Sequence, residues 1–91
     1  MKTLLHLAIN PTSSELREAV EGKLNRAADW LRYNPGCWMI YTSQPAKIWY
    51  ERLSEIPGIK DGSLFICELN IGNRGGWLKP SVWDWIKEKR E

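Results

Sequence analysis

Ninety-one residues are enough for one domain and too few for two, and a domain this short hides a smaller share of its surface than a larger one. Thirteen Lys and Arg against eleven Asp and Glu leave a net charge of +2, which excludes the strongly basic nucleic-acid proteins that charge alone announces. No run approaches the ~20 apolar residues of a membrane span.

The first predicted element is a strand over residues 3–9, an apolar run of strand length. Leu5, Leu7 and Ile9 share one face and Leu4, His6 and Ala8 the other. Both faces are mostly apolar, as in a central strand. Read instead as a signal peptide, the segment is too short, is broken by His6, and meets Asn10-Pro11 rather than a small-residue cleavage site. A cytoplasmic protein is the expectation.

After Asn10-Pro11, Thr12 with Glu15 three residues on reads as a capping box. Leu16, Val20, Leu24 and Ala27 then recur at helical spacing, which predicts an amphipathic helix over residues 13–28. Residues 29–33 and 37–42 are rich in β-favouring types, and Asn34-Pro35-Gly36 between them is a turn signal. A hairpin is predicted there. Ser43 as cap and Pro45 near the first position open a second helix, with Trp49, Leu53 and Ile56 inward; Pro57-Gly58 ends it. Asp61-Gly62 turns into a strand over residues 63–69, with Leu64, Ile66 and Glu68 on one side. Gly72-Asn73-Arg74-Gly75-Gly76 is a loop. It lacks the Lys-Ser/Thr of a phosphate-binding P-loop. Ser81 and Asp84 then suggest a short, Trp-rich C-terminal helix carrying Val82, Trp83, Trp85 and Ile86, with residues 87–91 fraying.

The order β-α-β-β-α-β plus a terminal helix predicts an α+β, ferredoxin-like domain, an antiparallel sheet with helices on one face. The other face needs cover. Six tryptophans supply more aromatic surface than one small core hides easily, so a second copy of the chain is the expected cover and a homodimer the expected form. Trp30, Trp38, Trp77, Trp83 and Trp85 are assigned to packing or that interface. Cys37 and Cys67 form no CxxC pair and read as small apolar residues.

The pattern Trp30…Trp38-Met39-Ile40-Tyr41-Thr42, then Asp61-Gly62-Ser63-Leu64-Phe65-Ile66, then Gly75-Gly76-Trp77-Leu78…Trp83-Asp84-Trp85-Ile86 resembles the small SinR-like bacterial proteins. That family is similar in fold to the virulence-associated protein D toxins and to the small CRISPR-associated adaptation protein. The resemblance covers nearly the whole chain and implies a ferredoxin-like homodimer. Relatives with a proposed metal-dependent nuclease activity carry an aspartate at the end of the first strand. Ala8 stands there in this chain, or Asn10 in a register two residues on. Neither is anionic, and Mg²⁺ prefers carboxylate and water oxygens. No metal, no cofactor and no catalytic residue is therefore expected.

His6 reads as a strand residue satisfied by a hydrogen bond, since proton transfer needs a second group in reach. Asp61 and Asp84 have structural readings, and Asp29 has none. The remaining chemistry is cationic: Arg17, Lys23, Arg26, Arg32 and Arg74 are the candidate binding residues. The sequence thus reads as a non-enzymatic homodimeric binding module whose partner is a protein or a nucleic acid. A metal-dependent nuclease or toxin, or a mobile-element protein that blocks a host defence factor, are the alternatives.

Overall fold

The computed structural model describes residues 1–90, the side chain of Arg90 excepted. The chain is a small α+β domain with strands β1 (Thr3–Asn10), β2 (Asp29–Asn34), β3 (Cys37–Thr42) and β4 (Ser63–Glu68), and helices α1 (Ser14–Leu24), α2 (Ala46–Leu53) and α3 (Pro80–Arg90). The four strands make one sheet in the order β2-β3-β1-β4, and every neighbouring pair is antiparallel. This arrangement is compatible with the predicted ferredoxin-like fold.

Alternation along each strand divides the core in two. Leu5, Leu7 and Ile9 of β1 meet Trp38 and Ile40 of β3, Val20 and Leu24 of α1, and Trp49 and Leu53 of α2 in one buried cluster, completed by Ile56 and Ile59. The opposite face is closed by α3, whose Val82 and Ile86 pack on Met39, with Leu31, Tyr33, Leu69, Trp83 and Trp85 around them. The terminal helix, rather than a second copy, therefore covers the β2–β3 half of that face.

Several predicted boundaries move for local reasons. Ser13, not Thr12, caps α1: its backbone is extended and its Oγ accepts the Leu16 N–H at 3.1 Å. Thr12 is occupied elsewhere, donating to the Pro35 carbonyl at 3.3 Å. The helix stops at Leu24, four residues short of expectation. Ala27 bonds back to Leu24 at 2.9 Å, and the Ala28 N–H is already given to Tyr41 across the sheet at 3.0 Å. Pro45, not Ser43, is the N-cap of α2, and no side chain caps that end. Thr42, 3% exposed, instead gathers the polar bonds there, accepting from the Gln44 N–H at 3.1 Å and from the Trp49 indole at 3.0 Å. A 3-10 turn, Ile59–Asp61, fills what read as a plain turn.

In α3, Pro80 takes the first helical position, where its missing N–H costs nothing, so Ser81 lies inside the first turn rather than capping it. Residues 87–90 remain helical. Lys89 anchors them with an ion pair to Asp29 at 2.8 Å, its ammonium 5.6 Å from the Tyr41 ring and 5.5 Å from that of Trp85. Asp29, unassigned by sequence, also accepts the Trp85 indole at 3.1 Å. Glu91, the last residue of the predicted frayed tail, lies outside the described residues.

Two glycines at the far end of β1 are required by close approach. A Cβ at Gly36 would run into the Ile9 carbonyl, and one at Gly62 into the Asn10 carbonyl and the Pro11 ring.

Candidate anion-binding hollow

β1 and β3 pair with Thr3 opposite Thr42, so residue 2 leaves the sheet beside residue 43. The same end receives the last turn of α1, because α1 descends from the Asn10 end and feeds Asp29, which pairs with Tyr41. The result is a hollow of about 480 Å³ lined by Lys2, Arg26, Ala27, Ala28, Thr42, Ser43, Gln44 and Arg52. Among the described residues three cations line it, and no carboxylate does.

Arg52 is half-buried and its guanidinium carbon sits 4.9 Å from the centre of the Trp49 ring. Stacking of this kind fixes a planar guanidinium while leaving its N–H groups free to bond. Arg26 and Arg52 also line a second hollow of about 430 Å³ between the two helices, with Ala19, Gly22, Lys23 and Glu55. There Lys23 reaches Glu55 at 2.8 Å. The Lys23 hydrogen bond is the first cause holding the Glu55 carboxyl below its ordinary range, and the Arg26 charge contributes less. The two hollows share Arg26 and Arg52 and are taken together as one open channel: basic at the Lys2 end, with the exposed Lys23–Glu55 ion pair at the other.

The five cations named from sequence do not form one patch. Lys23 and Arg26 belong to this channel. Arg17 and Arg32 lie at the opposite end of the sheet, around a hollow shared with Tyr33, Asn34 and Pro35. Arg17 donates to Thr12 Oγ1 at 3.1 Å, and Arg32 pairs with Glu21 at 3.4 Å. Arg74 turns back onto its own loop and donates to the Ile71 carbonyl at 2.9 Å. Lys2 and Arg52 were not among the five. Only the strand pairing brings Lys2 to Ser43, and the (i, i+3) spacing of Trp49 and Arg52 on a helix was the one signal available for Arg52.

Four of the five tryptophans assigned to packing or an interface lie in or against the two clusters. Trp38 is fully buried, with its indole donating to Glu21 at 3.0 Å. Trp30 packs against the main cluster and donates to Asn25 at 2.9 Å. Trp83 and Trp85 lie in the α3 cluster. Trp77 is 99% exposed and belongs to neither core cluster of the described residues. The cysteines are free and half-buried.

His6 Nε2 is hydrogen-bonded to the Tyr33 hydroxyl. Burial lowers the His6 pKa, and burial first, then Cys37, pushes Tyr33 up to about 12. At neutral pH both are uncharged, and the bond between them engages one ring nitrogen of His6 within the fold, as expected from sequence. For a metal, the donor set does not fit: Ala8 and Asn10 offer no anion at the end of β1, and among the described residues no three His, Cys, Asp or Glu side chains gather. Among the described residues no helix is long and apolar enough to cross a membrane. The chain matches no family model, no curated protein and no solved structure.

Proposed function

We propose that the chain is a non-enzymatic, homodimeric binding module of the SinR-like, ferredoxin-like type, and that its partner is a nucleic acid. The observation that carries the partner is the channel at the Lys2 end, where Lys2, Arg26 and Arg52 converge without a carboxylate. Phosphate oxygens are the ligands that such a set of donors binds best. A protein partner would have to present carboxylates to the same three cations, and the stacked Arg52 fork suits phosphate equally. The strand order β2-β3-β1-β4 supports the ferredoxin-like part of the reading.

The sheet edges support the dimer. β2 carries Asp29 and Arg32 along its open edge, charges of the kind that deter strand pairing. β4 offers Ser63–Glu68 with a single charge at its end and no proline. Phe65 is 63% exposed there and Tyr50 on α2 46%, around a hollow with Lys47, Leu64 and Ile66. Two copies paired through β4 would cover this apolar rim.

Titration of a labelled oligonucleotide at about 50 mM and about 200 mM salt tests the partner, because counterion release makes affinity fall steeply over that range. Flat curves at the lower salt would remove nucleic acid. Light scattering tests the dimer: wild type is expected at twice the chain mass and Phe65→Lys at the chain mass. A monomeric wild type would refute it.

A further inference from the structure

Within that nucleic-acid reading, we infer that the channel seats the end of a strand, with a terminal phosphate monoester between Arg26 and Arg52. Charge is the first reason. A phosphodiester carries one negative charge, whereas a phosphate monoester carries about 1.5 to 2 at pH 7. Lys2, Arg26 and Arg52 together exceed what one diester needs and match a monoester followed by one diester.

The second reason is the change in lining along the channel. Beyond Arg26 and Arg52 lies Glu55, paired across the helices with Lys23 at 2.8 Å, so the unpaired cations end there and the next phosphates would meet an ion pair that is already neutral. A surface that tracks internal backbone would continue its free cations past that point.

The floor is the third reason. Gly22 lies inside α1, where glycine costs up to about 1 kcal/mol relative to alanine. A Cβ at Gly22 would meet nothing within 4 Å, so no packing within the chain calls for its absence. Glycine also serves where a ligand approaches backbone closely, and Gly22 lines the stretch between Arg26, Arg52 and Glu55.

The test compares one short single-stranded oligonucleotide in three forms, 5′-phosphorylated, 3′-phosphorylated and with hydroxyls at both ends, by fluorescence anisotropy at low salt. One phosphorylated form is expected to bind about tenfold more tightly than the hydroxyl form, as for one added charge-assisted, bidentate contact. Arg52→Ala and the more exposed Arg26→Ala are each expected to erase that preference, with circular dichroism confirming the fold. Glu55→Gln is expected to narrow it by admitting internal backbone, and Gly22→Leu to weaken the phosphorylated form while the thermal midpoint holds or rises. Equal binding of all three forms would overturn the end site and leave the nucleic-acid reading standing; no binding of any form would remove both. A nucleoside monophosphate that competes as well as the oligonucleotide would overturn the strand and leave a mononucleotide site in its place.

Discussion

The two faces of the sheet are closed in different ways, and the difference separates what holds the molecule together from what decorates it. Among the described residues, eleven buried side chains meet in the cluster on the α1–α2 face, whereas the buried cluster under α3 is made by Met39, Val82 and Ile86. On the first face the polar atoms that are buried are also partnered inside the core, as with the Trp49 indole on Thr42. On the second face, α3 is held at its edges, by Asp29 with Lys89 and Trp85 and by aromatic rings. A cluster of this thickness opens locally at lower cost than the main core.

The largest effect is therefore expected from Trp49→Ala. Truncating a fully buried tryptophan costs about 3–5 kcal/mol, a large share of the about 5–15 kcal/mol that domains possess, and it leaves the Thr42 hydroxyl with the Gln44 N–H alone. Urea denaturation should place the variant at or past its midpoint in water. A loss below about 1 kcal/mol would contradict the burial of that side chain. Ile86→Ala is expected to cost less, about 2 kcal/mol, because a thin cover can relax into the space left. Native-state hydrogen exchange should then show α3 amides exchanging faster in the variant while those of α1 keep their rates. Equal acceleration everywhere would mean that the two faces unfold as one unit.

The same contrast explains what could be read in the sequence. The main face was legible because its residues keep the periods of their elements: Leu5, Leu7 and Ile9 at two, and Leu16, Val20 and Leu24 at four. The Asn34-Pro35-Gly36 turn fixed the hairpin by local chemistry. The second face was not legible. Val82 and Ile86 mark a helix, yet nothing local says which surface an appended helix will lie on, and the Asp29–Lys89 tie joins residues sixty positions apart. The channel fell between these cases. Lys23 and Arg26 were visible as cations on a helix, while Lys2 joins them only through the β1–β3 register. Caps failed for a third reason: Thr12 and Ser43 have the right side chains, but Thr12 is drawn to Pro35 and Ser43 stands two residues before the N-cap.

Asp29→Asn tests how α3 is tied down, with a smaller effect than either core change. The hydrogen bond from Lys89 is the first cause that lowers the Asp29 pKa below 3.8. A lowered folded value means that the contribution is complete above 3.8 and fades as pH falls through the folded value. Wild type should exceed the variant in denaturant midpoint at neutral pH, and the two should converge in acid. The pair is partly solvated, so the gap is modest. His6, also lowered in the fold, weakens both proteins as pH drops below 6.5, and that earlier loss should survive in Asp29→Asn. If instead the substitution abolished the loss near 6.5, that loss would depend on the Asp29 charge and could not be assigned to His6 alone.

Trp77→Ala is expected to do least to stability, within about 0.5 kcal/mol, the range of surface substitutions that break no specific contact. Its ring is 99% exposed and follows Gly76, which at φ 148° needs the freedom of glycine. Fluorescence should nonetheless change clearly, because the most solvated of six indoles is lost while Trp38 and Trp49 stay fully buried. The red edge of the emission should fall and the blue edge persist. A stability loss that grows with protein concentration would place Trp77 against a second copy, and the dimer would then be built at the loop after β4 as well as along its edge. A loss independent of concentration would mean that the loop folds back onto the thin α3 face, and the contrast between the two faces would shrink accordingly.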